Sequence, residues 1–132
     1  DFSKIRNNIT RQVDVIFIDT LHEADHVEKI IYGYYDLLKV GGYLFIDDIS
    51  HLPYLSEKPR NNFYCEINNK ETFDRIIKIY NSNTENFDLN FSFVSSGLAI
   101  IKKKNISNLN KAKSIKKRNI TIRNLYRKII GK

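Results

Sequence analysis

The chain has 132 residues, 42% apolar and 28% charged, with a formal net charge of +7. This is enough for one domain with one core, and the composition is neither that of a disordered chain nor that of a membrane protein. No apolar run approaches the roughly 20 residues of a membrane-spanning helix, and a single cysteine, Cys65, excludes an internal disulfide.

A lone thiol fits a reduced setting, so a cytoplasmic location is expected. Residue 1 is Asp, and no basic-then-apolar leader follows it. The chain is therefore expected to begin inside a longer protein. The charge is unevenly placed. Residues 1–101 hold 10 Lys/Arg against 15 Asp/Glu, whereas residues 102–132 hold 12 Lys/Arg and no acid. The expected division is a domain over 1–102 and a basic tail over 103–132. Two readings of the tail stand side by side: a solvated terminus, or a docking element for an anionic partner such as RNA or a membrane surface.

In chain order, Ser3–Arg11 is polar and reads as a short helix or turn. Val13–Ile18 is a β-branched and aromatic run too short for a helix, hence a strand. Ala24–Lys39 carries Val27, Ile30, Ile31, Tyr34, Leu37 and Leu38 at helical spacing. Gly41-Gly42 is expected to end that helix in a left-handed cap. Tyr43–Ile46 is a second strand, and the continuous apolar character of both strands predicts burial on both faces of a parallel sheet. The stretch from Ile49 to Asn69 contains both prolines and has no period, so it reads as a long loop. Glu71–Tyr80 is a second helix. Phe87–Val94 alternates apolar and polar residues as a half-buried strand does, Ser95-Ser96-Gly97 turns the chain, and Leu98–Ile101 returns. In the tail, Ile122, Leu125, Tyr126, Ile129 and Ile130 have the spacing of a basic amphipathic helix. No internal repeat is present.

Both early strands run into acids. The first ends at Asp19, with His22 three residues on, and the second ends at Asp47-Asp48. If the strands are parallel, these acids share the carboxyl edge, where open α/β sheets bind ligands. Carboxylates gathered at one edge repel each other strongly without a cation. Magnesium prefers such oxygen ligands and keeps positions open for water and substrate. The plainer alternative is that Asp19 caps a turn and Asp47-Asp48 merely close a strand. His22 is equally open, as a base or as a surface residue at a helix start. No nucleophile elbow, zinc-ligand spacing or phosphate-binding glycine loop competes with this edge.

The sequence Val-Asp-Val-Ile-Phe-Ile-Asp-Thr-Leu-His, then a helix, then Leu-Leu-Lys-Val-Gly-Gly-Tyr-Leu-Phe-Ile-Asp-Asp, resembles the second half of a class I S-adenosylmethionine-dependent methyltransferase. Within that class it is most similar to the metal-dependent small-molecule O-methyltransferases of the catechol and caffeoyl-coenzyme A types. It is also similar to the methyltransferase 24 and cephalosporin-hydroxylase-like group. The resemblance covers about residues 1–102. It implies a Rossmann-like α/β fold whose strands here would be the fourth to the seventh, the seventh antiparallel, with the amino-terminal half absent.

The resemblance further implies S-adenosylmethionine as methyl donor and a hydroxyl of a small molecule or sugar as acceptor. It places a magnesium-type cation on Asp19, Asp47 and Asp48, and gives His22 or Asp19 the role of base. An acidic residue about thirteen positions before Asp14, here Asp1, would meet the adenine. The family's glycine-rich loop and its ribose-binding acid do not occur in this sequence. A non-catalytic, methyltransferase-like binding module whose basic tail docks on nucleic acid or another anionic partner is the competing expectation.

Overall fold

The computed structural model describes residues 6–21, 23–52 and 63–114, together with residues 122, 126, 129 and 130. Strand β1 is Val13–Ile18, helix α1 is Ala24–Tyr34, and a 3-10 turn, Tyr35–Leu37, leads into strand β2, Leu38–Asp47. Helix α2 is Phe63–Asn81, and strands β3, Phe87–Ser92, and β4, Leu98–Lys103, complete the set.

The four strands form one sheet in the order β1-β2-β4-β3. β1 and β2 are parallel, with Ile16 opposite Leu44 and Ile18 opposite Ile46. β4 is antiparallel to both of its neighbours. The last strand in sequence is thus inserted between the second and third, as the antiparallel seventh strand of the expected fold. The parallel pair is joined through α1 and the antiparallel pair through a tight turn, the two connections these pairings allow.

Two expected boundaries move. The first helix ends at Tyr34 instead of Lys39, and Leu38 is already a fully buried strand residue. Gly41 and Gly42 therefore do not cap a helix; they make a bulge inside β2. Between the pairs Val13↔Leu38 and Val15↔Tyr43, five steps of β2 span two of β1. Gly41 takes the left-handed φ of +85° that the bulge needs. At Gly42 a Cβ would lie 2.8 Å from the Asp14 carbonyl oxygen, so the neighbouring strand passes too close for any side chain. The second helix starts at Phe63, eight residues earlier than expected. Its core-facing side chains in the added turns include the polar Asn69 and, just beyond, Thr72, both buried, and this polar stripe hid the period from an apolar search.

Both helices lie on one face of the sheet. Val27, Ile30 and Ile31 of α1, and Ile76 and Ile79 of α2, pack with Ile18, Leu44, Ile46, Phe87, Ala99 and Ile101 in a single core. Arg75 clasps the helices together, donating to Asp25 at 2.8 Å and to Glu28. The other sheet face is open among the described residues, contrary to the expected two-sided burial. Val15 is 55% and Phe17 59% exposed, and Phe17 meets Phe45 in a tilted ring contact, with Phe45 in turn stacked on Tyr43.

At the end of the sheet away from the acids, Lys103 is buried and its ammonium donates to the carbonyls of Tyr35 and Leu38 at 3.2 and 2.8 Å. The Tyr35 carbonyl also accepts the Leu38 N–H that closes the 3-10 turn. Burial lowers the Lys103 pKa, and Asp36 partly opposes the shift. Tyr35, buried beside it, donates to the Asn86 carbonyl at 2.6 Å, and burial pushes its phenol up to about 12.

The segment after β4 does not leave the body at once. The Asn83 amide oxygen accepts from the Asn110 backbone N–H at 2.7 Å, Asn86 donates to the Asn108 carbonyl, and Ser82 accepts from the Lys113 N–H. Leu109 and Ala112 pack against the core. Residues 104–113 are thus a strap over the α2–β3 turn. Of the expected tail helix, the Ile130 N–H bonds to the Tyr126 carbonyl at 3.1 Å, a helical step. Most of that segment lies outside the described residues.

Candidate active site

The parallel pairing of β1 and β2 brings their carboxyl ends to one edge. Because Ile18 pairs with Ile46, the next residues, Asp19 and Asp47, occupy adjacent positions at the edge. Asp19 is exposed. It is followed by Thr20, whose hydroxyl lies 2.8 Å from His26 Nε2 on α1. His26 therefore ties the turn after β1 to the helix. His22 and Asp1, the expected base and adenine contact, lie outside the described residues.

Asp47 and Asp48 are half-buried and sit in an unusual stretch of backbone. Asp48 has φ +57°, Ser95 +58° and Gly97 +85°. Left-handed conformations in non-glycine residues are uncommon, with Asp among the types that tolerate them best. Here two fall within one small region, where the chain leaving β2 crosses the turn between β3 and β4. The Ser50 N–H donates to the Ser96 carbonyl at 2.8 Å and the Ile49 N–H to the Gly97 carbonyl at 3.4 Å. Gly97 is obligatory at this crossing, because a Cβ there would lie 2.6 Å from the Ser50 nitrogen. Ile49 and Ser50 are fully buried, and Asn69 of α2 donates to the Ser50 carbonyl at 3.0 Å. The acids thus emerge from a segment held on two sides.

The Asp47 carboxylate is also held. Its Oδ1 accepts from the Asp48 N–H at 2.8 Å and from the Ser96 hydroxyl at 2.9 Å. The expected metal triad is not assembled as such. Among the described residues no group of three or more His, Cys, Asp or Glu side chains could hold a metal ion. Asp47 has one oxygen committed to the hairpin turn, Asp48 has a left-handed backbone, and Asp19 is exposed.

Beyond Asp48, His51 closes the edge. Its ring centroid is 4.6 Å from that of Phe73 and 6.2 Å from that of Phe93, and Phe73 lies 4.7 Å from Phe91. An imidazole three residues beyond Asp48 therefore sits at the rim of an aromatic cluster. The alternation of Phe91 and Phe93 was visible in the sequence, but their meeting with His51 and Phe73 needed the tertiary fold.

Residues 1–49 match the family model described as a methyltransferase domain. No curated protein matches the chain. Among solved structures, it is similar to one described as a caffeoyl-CoA O-methyltransferase from Staphylococcus aureus, with a TM-score of 0.55 and 23% identity, over 77% of this chain and 47% of that one. A Podospora anserina methyltransferase with SAH bound is similar at a TM-score of 0.55 and 17% identity, over 79% of this chain and 46% of that one. The chain spans less than half the length of either structure. It carries the fold of the class I S-adenosylmethionine-dependent methyltransferases.

Proposed function

We propose that this chain supplies the acceptor side of an S-adenosylmethionine-dependent O-methyltransferase acting on a hydroxyl of a small molecule or sugar. The observation that carries the reading is the parallel β1–β2 pair, which ends in Asp19 and Asp47 at adjacent edge positions beside an inserted antiparallel strand. The match of residues 1–49 to a methyltransferase-domain model, and the SAH in the Podospora structure, support the donor assignment.

S-adenosylmethionine supplies an electrophilic methyl group on a sulfonium sulfur, and an acceptor oxygen attacks in line with the departing sulfur. The chain's part is to hold that oxygen and receive its proton. In this reading Asp47 and Asp19 hold the oxygen and receive its proton, and His22, three residues beyond Asp19, is the further candidate base. The His51–Phe73–Phe93 cluster offers an apolar wall for the body of the acceptor. Asp1 is the proposed adenine contact. The cation expected on Asp19, Asp47 and Asp48 enters no step here.

The test uses the full-length protein with methyl-labelled S-adenosylmethionine, a panel of phenolic and sugar hydroxyl acceptors, and titration calorimetry with S-adenosylhomocysteine. Methyl transfer that falls by about a hundredfold or more in Asp47→Ala, with S-adenosylhomocysteine still bound, supports the reading. A protein that neither binds S-adenosylhomocysteine nor transfers methyl overturns it. A chelation arm decides the cation separately: activity that survives exhaustive EDTA removes the metal and leaves the methyl transfer.

A further inference from the structure

We propose that Ser96 is a positioning residue for Asp47, acting from the β3–β4 turn on the acid that ends β2; this rests on the methyl-transfer reading above. The Ser96 hydroxyl donates to Asp47 Oδ1 at 2.9 Å across 49 residues of sequence. The same oxygen accepts the Asp48 N–H at 2.8 Å. Two donors from different directions on one oxygen fix the rotation of the carboxylate plane and turn the second oxygen, Oδ2, away from the pair. An acid presented through one defined oxygen meets an acceptor hydroxyl in one geometry, and displacements of about 1 Å at such a contact cost up to a hundredfold in rate.

The location of the Ser96 hydroxyl is itself over-determined. Its carbonyl accepts the Ser50 N–H at 2.8 Å, and the neighbouring Gly97 N–H closes the turn on the Val94 carbonyl at 3.1 Å. Left-handed residues stand on either side of it, Ser95 at φ +58° and Gly97 at φ +85°. Gly97 touches the Ser50 backbone so closely that a Cβ would reach 2.6 Å. The turn cannot slide along the 49–50 segment without losing these contacts, so the backbone from which the Ser96 hydroxyl reaches Asp47 is fixed. Strain of this kind persists only where the surroundings enforce it, and it concentrates at functional sites. A turn needed only to reverse two strands has less costly solutions. Ser96 is half-buried, and its carboxylate partner lies on the strand edge where the chemistry is placed.

The experiment compares full-length wild type, Ser96→Ala and Ser96→Thr. The first readout is the χ1 rotamer distribution of Asp47, from three-bond couplings in a labelled protein. A single rotamer is expected in wild type and Ser96→Thr, and averaging in Ser96→Ala. The second is steady-state methyl transfer. In Ser96→Ala, kcat is expected to fall about ten- to a hundredfold while KM for S-adenosylmethionine stays within about twofold, and Ser96→Thr is expected to recover most of the loss. An Asp47 that keeps one rotamer in Ser96→Ala overturns the inference. So does an Asp47 that averages while kcat is unchanged, or a loss of rate that only tracks the unfolded fraction. If wild type transfers no methyl, the functional reading falls, and the rotamer measurement alone then decides whether Ser96 orients Asp47.

Discussion

Gly97→Ala gives the sharpest test of how the acid edge is built, because Gly41→Ala provides a matched control. Both glycines sit at φ +85°, so both substitutions incur the left-handed penalty of roughly 1–2 kcal/mol for an L-residue. At Gly41 nothing lies within 4 Å of the added Cβ, and the penalty is the whole effect. At Gly97 the same atom would meet Ser50 at 2.6, 2.7 and 2.9 Å, two of those contacts with backbone. The 49–50 segment must then retreat, which breaks the Ser50–Ser96 and Ile49–Gly97 hydrogen bonds. Two buried backbone bonds at about 1 kcal/mol each, added to the conformational penalty, predict a loss of about 3–4 kcal/mol against about 1–2 for Gly41→Ala. Urea denaturation of the full-length variants measures both, with the m-value checked for constancy. Equal losses at the two positions would refute the claim that close approach, rather than backbone conformation alone, holds the acid segment to the hairpin. A loss at Gly97 should also bring a fall in methyl transfer that exceeds the change in folded fraction.

Three further outcomes follow from contacts already described. Tyr35→Phe leaves the buried Asn86 carbonyl without its phenolic donor and should cost about 1–2 kcal/mol near pH 7, measured by denaturant titration. The same variant should change the alkaline limb. The folded protein keeps the Tyr35 proton up to about 12 against 10.0 unfolded. Stability from this group is therefore complete below pH 10 and is lost as pH rises to about 12, roughly 2–3 kcal/mol in all. That part of the decline should vanish in Tyr35→Phe. Arg75→Ala removes the clasp to Asp25 and Glu28, whose partly exposed geometry predicts about 1 kcal/mol or less, shrinking further at 1 M salt; a salt-independent loss would mean that its packing and not its charge matters. In the functional assay, Asp47→Asn should lose nearly as much rate as Asp47→Ala, because the amide keeps an acceptor for Ser96 but cannot take a proton.

The architecture was legible wherever apolar period and length agreed. Val13–Ile18, the core face of α1 and the two strands of the hairpin are where the pattern put them, and the parallel pairing brings Asp19 and Asp47 abreast. What misled was chemistry with two uses. A glycine pair after an apolar stretch has the signature of a helix cap, yet here the same freedom serves a bulge in β2, because Asp14 of the adjoining strand presses on Gly42. Such a neighbour is far away in sequence and leaves no local sign. The early turns of α2 escaped because Asn69 faces the core to reach the Ser50 carbonyl. A buried amide with a partner costs little, but it breaks the apolar period that a sequence search follows. The continuous apolar run of β1 predicted cover on both faces, and only one face has it among the described residues.

The same limit explains which part of the candidate site could be read and which could not. The acids are consecutive with their strands, so topology alone delivers them to the edge. Ser96 and Gly97 belong to a turn that any hairpin requires, and nothing local distinguishes them from a loop of small polar residues. Their significance arises only because β4 is inserted beside β2, which carries the turn at its start onto the segment leaving the acids. At the opposite end of the sheet, Lys103 locks β4 to the 3-10 turn and to the start of β2, and Asn83 and Asn86 hold the strap to the α2–β3 turn. β4 is therefore tied at both of its ends, to the base of β2 by a buried ammonium and to its acidic tip by a serine hydroxyl. A strand fixed in this way transmits little slack, and the placement of Asp47 follows from the sheet rather than from a flexible loop.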